Sequence, residues 1–270
     1  MFKPKENLRN LSYAELLKYF NSLFEELAIR HNHYNAFDNF LDICINGFCF
    51  NYDKDLMERI RKTYSIEERQ MFSEMVQLWI LIMNKRVPDN NSFHDFFGNY
   101  YEEKAMSKQQ GFAQYFTPEP ICHLVVSLVN VSESSTYVHE PACGSGRFNL
   151  AMHANNHKLI HHANDLDMTC AKMTALNFLI HGVKGVVTCE DALILKKSFK
   201  GAFIVNYDHV LQIEYIDDVN LAYSVLKAIF PSSKPLLNID FQKLEESNLH
   251  INATEQVSSL SELNKQLSLF

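Results

Sequence analysis

Residues 139–148 read HEPACGSGRF and place two of the chain's 8 glycines, Gly144 and Gly146, around one serine. A lone GxG is, more often than not, a tight turn between strand and helix. Without a Cβ at these positions, however, backbone N–H groups can also come close to a polar ligand. The next two strand ends carry acids, Asp165 in ANDLD and Asp191 in CEDAL. Each acid alone is a candidate helix N-cap. The loop is neither GxGxxG nor GxxxxGK[ST], and no lysine follows it to meet a phosphate. In this order and at this spacing, a glycine loop with two strand-end carboxylates suits a nucleoside lacking a pyrophosphate, with Asp165 placed for a ribose diol. S-adenosylmethionine is such a ligand.

The elements that must hold these residues change rhythm near residue 110. Upstream, SYAELLKYFNSLFEELAIR (12–30) carries Leu16, Leu17, Phe20, Leu23, Phe24 and Leu27 at spacings of three and four. That is the stripe of an amphipathic helix. HYNAFDNFLDICINGF (33–48) and SIEERQMFSEMVQLWILIMNKR (65–86) repeat it, the second opened by a capping box of Ser65 and Glu68. PDNNS (88–92) ends that helix, and FHDFFGNYYEEKAM predicts another. Downstream, the strands TYVHE, LIHHAND, GVVTCED and GAFIVN are interspersed with the helices RFNLAMHANN and MTCAKMTALNFLIHG, the latter closed by Gly182. This alternation predicts a parallel sheet of βαβ units layered on both faces. The expected organisation is a helical domain over 1–105 and an α/β domain over 106–270, doubly wound with a mostly parallel sheet. LAYSVLKAIF predicts a later helix, KPLLNIDF a later strand, and the tail from Ala253 a loose terminal helix.

Composition narrows the function classes. Residues 1–110 hold 14 Lys/Arg against 16 Asp/Glu (net −2), and residues 111–270 hold 11 against 16 (net −5). Neither part is the basic body of a strong stand-alone DNA binder. The longest uncharged apolar run, MVQLWILIM (75–83), is half of what a membrane span needs, and the N-terminus lacks an apolar secretory stretch. Six cysteines without CxxC pairing suit free thiols in a reducing cytoplasm. His161 and His162 have no partners at ligand spacing, so no metal is expected. Trp79 and the aromatic N-terminal helices suit either a core or a subunit interface.

Three segments together are specific: GFAQYFTPEPICHLVVSLV (111–129), EPACGSGRF (140–148) and ANDLDMTCAKMTALNFLIHG (163–182). They resemble the N6-adenine DNA methyltransferases, particularly the modification subunits of type I restriction systems. That family pairs Q[YF]FTP with a [DE]PACGSG loop behind a helical domain. The resemblance implies a Rossmann-like S-adenosylmethionine-dependent methyltransferase fold and S-adenosylmethionine as cofactor. It implies that Tyr115, Phe116, Thr117 and Pro118 lie over the methionine end, and that Glu140 receives the amino group. Ala142, Gly144 and Gly146 would supply cofactor-facing backbone, Asp165 the ribose contact, and Asp191 with Ala192 the adenine contact. It also implies DNA as substrate and a specificity or restriction subunit, or a second copy, as partner.

Methylating adenine N6 requires a flipped base and acceptors for its amine as it turns tetrahedral. The family meets this with NPP[YF] at the fourth strand end. Here the segment is NYDH: Asn206 matches, Tyr207 and Asp208 replace the prolines, and His209 replaces the aromatic. The expectation is an adenine-specific DNA methyltransferase of a restriction–modification system with an altered catalytic motif and weak DNA binding alone. The alternative is a catalytically inactive relic that binds cofactor or serves as an accessory protein.

Overall fold

A computed structural model of the chain describes residues 8–49, 51–89, 91–104, 115–129, 135–208 and 210–231. The described residues up to Ile229 form one compact unit. The predicted strand KPLLNIDF and terminal helix lie outside the described residues.

The helical layer comprises α1 (Tyr13–His31), α2 (His33–Phe48), α3 (Leu56–Thr63), α4 (Ile66–Arg86) and α5 (Phe96–Glu103). The periodicity does not predict α3, which is short and buries only Leu56 and Ile60. Capping boxes open α1, from Ser12 and Glu15, and α4, from Ser65 and Glu68. In the second, the Ser65 N–H donates to Glu68 Oε2 at 2.8 Å and the Glu68 N–H to Ser65 Oγ at 3.3 Å. Each box satisfies donors that the first helical turn leaves unpaired. The predicted stripe on α1 is buried, apart from the half-buried Leu17. Phe20 meets Phe40, Phe96 and Tyr100 edge-on, with centroids at 5.4, 5.1 and 5.2 Å. Trp79 is fully buried and packs against Phe97 at 5.0 Å. These aromatics therefore close a core, where edge-to-face contacts add to area burial.

After α6 (Glu119–Val129), the α/β part runs β1 (Tyr137–Glu140), α7 (Arg147–Asn155), β2 (Ile160–Asp165), α8 (Met168–His181), β3 (Lys184–Cys189), β4 (Gly201–Val205), β5 (Ile213–Ile216) and α9 (Val219–Ile229). The sheet order is β1-β2-β3-β4-β5. β1, β2 and β3 are parallel, as expected. β4 pairs antiparallel with β3, and β5 antiparallel with β4. Four strands thus share one direction and β4 opposes them. The expected series of βαβ units stops at β3 for a reason of length. Residues 190–200 hold only a single 3₁₀ turn (Leu195–Ser198), whereas a parallel return needs a crossover of a dozen or more residues.

α8 joins the two architectures. Its residues from Thr169 to Leu179 are all buried, one side on β2, β3 and β4 and the other against α2 and α5. A helix hydrophobic all round suits such a place, yet α8 carries polar residues wherever a partner waits. Lys172 Nζ bridges Asp42 at 2.6 Å and Asp38 at 3.0 Å, and Thr169 Oγ1 lies 2.9 Å from Tyr34 Oη. One core runs through the helices before residue 105 and the sheet after it. Among the described residues, no helix is long and apolar enough to cross a membrane, and no cluster is placed to hold a metal ion. All six cysteines are buried.

Buried histidines make this seam sensitive to acid. The His94 N–H donates to His181 Nε2 at 3.1 Å, while His181 Nδ1 bonds the Asn177 carbonyl at 2.7 Å. Both bonds together require a neutral ring with its proton on Nδ1. Burial lowers the pKa of His94, His153 and His181 from 6.5 to about 4. As pH falls below 6.5 the unfolded chain takes up protons that the folded chain refuses, so stability is present above that value and is lost toward pH 4. Urea unfolding should show a midpoint that drops steeply between about pH 6.5 and 4.5, and His181→Gln should make the slope shallower. An unchanged midpoint across that range would rule the seam out as the acid-sensitive element.

Candidate functional site

β1 delivers the chain to the glycine loop at Glu140. The Cys143 N–H donates to the Asn164 carbonyl at 2.8 Å, tying the loop to β2, and the Gly146 N–H closes a turn on the Cys143 carbonyl at 2.8 Å. Gly144 (φ 56°) and Gly146 (φ 81°) both occupy the left-handed region, which other residues enter only at a cost. They serve different ends. A Cβ on Gly146 would meet the Thr174 side chain, so this glycine packs α7 against α8, whereas a Cβ on Gly144 would meet the Phe116 ring.

Beside this loop lies a cavity of about 320 Å³, at the small end of the range for ligand sites. Tyr115, Phe116, Thr117, Glu140, Ala142, Gly144 and Asp165 line it, together with Cys143, Ser145, Arg147, Phe148 and Cys170. Seven of the predicted cofactor residues therefore meet in one place. The Asp165 carboxylate accepts the Gly144 N–H at 2.8 Å and the Asp167 N–H at 2.9 Å. Burial raises its pKa, and these two backbone donors work against the rise. Burial also raises the pKa of Glu140, opposed by the Ala142 N–H and reinforced by the negative charge of Asp165. The site thus presents two half-buried carboxylates on one cavity, each favouring a partner that brings positive charge or donors.

Arg147 is the cation that lines the cavity with them, and its bonds go elsewhere. Its Nε donates to Asp95 at 2.8 Å, its Nη2 to Glu102 at 2.9 Å and to Asn99 at 3.1 Å, and its Nη1 to the Thr117 carbonyl at 3.0 Å. Asp95, fully buried at the N-cap of α5, also accepts from Ser145 Oγ, from Asn177 Nδ2 at 2.8 Å and from the Gly98 N–H at 2.8 Å. Glu102 accepts the Phe116 N–H at 3.1 Å. Sequence reasoning missed Asp95, Glu102 and Arg147. One signal was available: Arg147 is the first residue of α7, where the helix dipole disfavours a cation, so nearby acids had to compensate it.

Four other predicted cofactor residues lie elsewhere. Gly146 packs on Thr174. Pro118 is exposed and its carbonyl accepts from the first turn of α6. Asp191 folds onto its own turn, accepting the Leu193 N–H at 2.8 Å and donating its backbone N–H to Ser198 Oγ at 2.8 Å. Neither Asp191 nor Ala192 lines the cavity. The buried acid at that strand end is Glu190, which accepts from Tyr223 Oη at 2.8 Å.

The predicted catalytic segment is at the wrong end of the sheet. Because β4 runs antiparallel, Val205 sits opposite Gly185 at the start of β3, while Gly201 sits opposite Cys189 at its end. Asn206, Tyr207 and Asp208 therefore leave the sheet at the end away from Glu140 and Asp165. Asn206 (φ 52°) is buried, and its Nδ2 donates to the carbonyls of Phe178 (2.9 Å), Val183 (3.1 Å) and Leu179 (3.3 Å). Its Oδ1 accepts the Leu211 N–H at 2.8 Å. It closes the C-terminus of α8 and the turn after β4, and so offers no acceptor to a base amine at the glycine loop. Tyr207 stacks under Lys184 Nζ at 4.4 Å. His209 lies outside the described residues.

Residues 92–210 match the N-6 DNA Methylase family model. A Listeria monocytogenes structure assigned as a class I S-adenosylmethionine-dependent methyltransferase is 13% identical, covering 70% of this chain and 55% of that one, with a TM-score of 0.40. The methyltransferase subunit of a type I restriction-modification system from Streptococcus thermophilus is 14% identical, covering 63% and 44%, with a TM-score of 0.27. The chain spans about half the length of these two structures. The segment matched by the family model contains α5, the Phe116–Thr117 arm, the glycine loop and α8.

Proposed function

We propose that the chain binds S-adenosylmethionine at the glycine-loop cavity, as a DNA adenine-N6 methyltransferase-like protein of a restriction–modification system in the cytoplasm. The observation that carries this is the pairing of Glu140 and Asp165 on one cavity beside Gly144. A carboxylate held half-buried favours an ammonium group, and a second beside it favours hydroxyl donors. The cofactor offers both kinds of group and, when bound, supplies an electrophilic methyl. Glu140 would hold the amino group and Asp165 the ribose, while Tyr115, Phe116 and Thr117 border the cavity. Asp191 and Ala192 are left out of this assignment, since their turn is satisfied internally.

A second reading concerns catalysis, and the fate of Asn206 favours it. With its amide committed to α8 and the turn after β4, Asn206 does not supply the side-chain acceptor that adenine methylation needs. We infer that the chain transfers no methyl group to DNA by itself and serves as the cofactor-holding part of a larger assembly. Its negative charge fits that role, because a specificity or restriction subunit would bring the DNA contacts.

Isothermal titration should give saturable binding of S-adenosylmethionine with a Kd tighter than about 1 mM. Gly144→Val should weaken it by at least about tenfold, because a β-branched residue is strained at φ 56° and its Cβ displaces the Phe116 ring. No heat from the wild type would remove the cofactor assignment. Separately, the isolated chain should leave tritiated methyl incorporation into mixed-sequence DNA at the no-protein level. Incorporation that depends on Asn206 would contradict the second reading.

A further inference from the structure

We propose that Glu102 is a positioning residue through which the helical layer sets affinity at the cofactor cavity; this rests on the cofactor reading above. The arm at residues 115–117 borders the cavity, but little holds it. Tyr115 is 81% exposed and Thr117 is exposed, while Phe116 alone is buried. Besides a weak contact from Cys122 Sγ to the Thr117 carbonyl at 3.6 Å, two backbone attachments fix the arm among the described residues: the Phe116 N–H on Glu102 Oε1 at 3.1 Å, and the Thr117 carbonyl on Arg147 Nη1 at 3.0 Å. Glu102 takes part in both, because its other oxygen accepts from Arg147 Nη2 at 2.9 Å. One carboxylate on α5 therefore sets where the Phe116 ring rests on Gly144 and how Arg147 meets the arm.

The two acids that hold Arg147 divide the work. Asp95 is sealed in the interior and acts on the fold, whereas the Glu102 side chain is 32% exposed. A partly exposed carboxylate can lose or regain its partners without unfolding its surroundings. A shift of the C-terminal turn of α5 would move Phe116 with it through the Glu102 contact, and so loosen or tighten the cavity.

The test compares wild type, Glu102→Ala, Glu102→Gln and the neighbouring Glu103→Ala, using S-adenosylmethionine affinity by titration and hydrogen exchange at the Phe116 amide. Glu102→Ala should lose about tenfold in affinity, the effect of removing charge-assisted hydrogen bonds, and the Phe116 amide should lose protection in the cofactor-free protein. Glu102→Gln keeps an acceptor for the Phe116 N–H but not the charge facing Arg147, and should fall between. Glu103→Ala should match wild type. Unchanged affinity and unchanged Phe116 protection in Glu102→Ala would overturn the proposal; if that variant does not fold, the same result in Glu102→Gln would overturn it. Absence of binding by wild type would defeat the cofactor reading instead, and Phe116 exchange would still report on the Glu102 contact.

Discussion

The Asp95 carboxylate has no access to water, and the placement of the glycine loop depends on how that charge is satisfied. An ionised carboxylate in a protein interior costs several kcal/mol unless donors surround it. Here four do: the Arg147 guanidinium, the Ser145 hydroxyl, the Asn177 amide and the Gly98 N–H. The donors come from the glycine loop, from α7, from α8 and from the first turn of α5. A single buried anion thus gathers the elements that shape the cavity. Even Gly98 belongs to the arrangement, since a Cβ there would collide with the Asp95 and Ser145 side chains.

From that node the site extends outward in order of burial. Arg147, half committed to Asp95, directs its remaining donors to Glu102, Asn99 and the Thr117 carbonyl. Thr174 on α8 donates to the Gly144 carbonyl at 2.9 Å, and Gly144 in turn donates to Asp165. The loop is therefore gripped on its carbonyl side by a buried helix and on its amide side by a strand-end acid. Such preorganisation lowers the entropic cost of ordering a binding loop. The helical layer is in this sense a structural part of the cavity, reaching it through α5.

Much of this was legible in the sequence because the signals are local. Capping boxes, stripes at spacings of three and four, and a glycine closing α8 each depend on a few neighbouring residues. The direction of β4 does not. It follows from how much chain separates two strands and from what that chain folds into, and a short 3₁₀ turn between them leaves no room for a crossover helix. That one reversal carried Asn206 to the far end of the sheet, although its identity matches the family pattern. β5 escaped notice because IEYI is four residues long and alternates poorly. At the end of β3 two acids are adjacent, and strand alternation sends them to different surroundings: Glu190 inward to Tyr223, Asp191 onto its own turn. Identity at a motif position predicts chemistry only where the topology delivers the side chain.

The central claim is that the Asp95–Arg147 pair binds the helical layer to the glycine loop. A double-mutant cycle of Asp95→Asn and Arg147→Met, read by urea unfolding, tests it most directly. The pair sits in one buried network, so a coupling free energy of about 2 kcal/mol or more is expected. Additive effects, with a coupling below about 0.5 kcal/mol, would mean that the loop is positioned by something else.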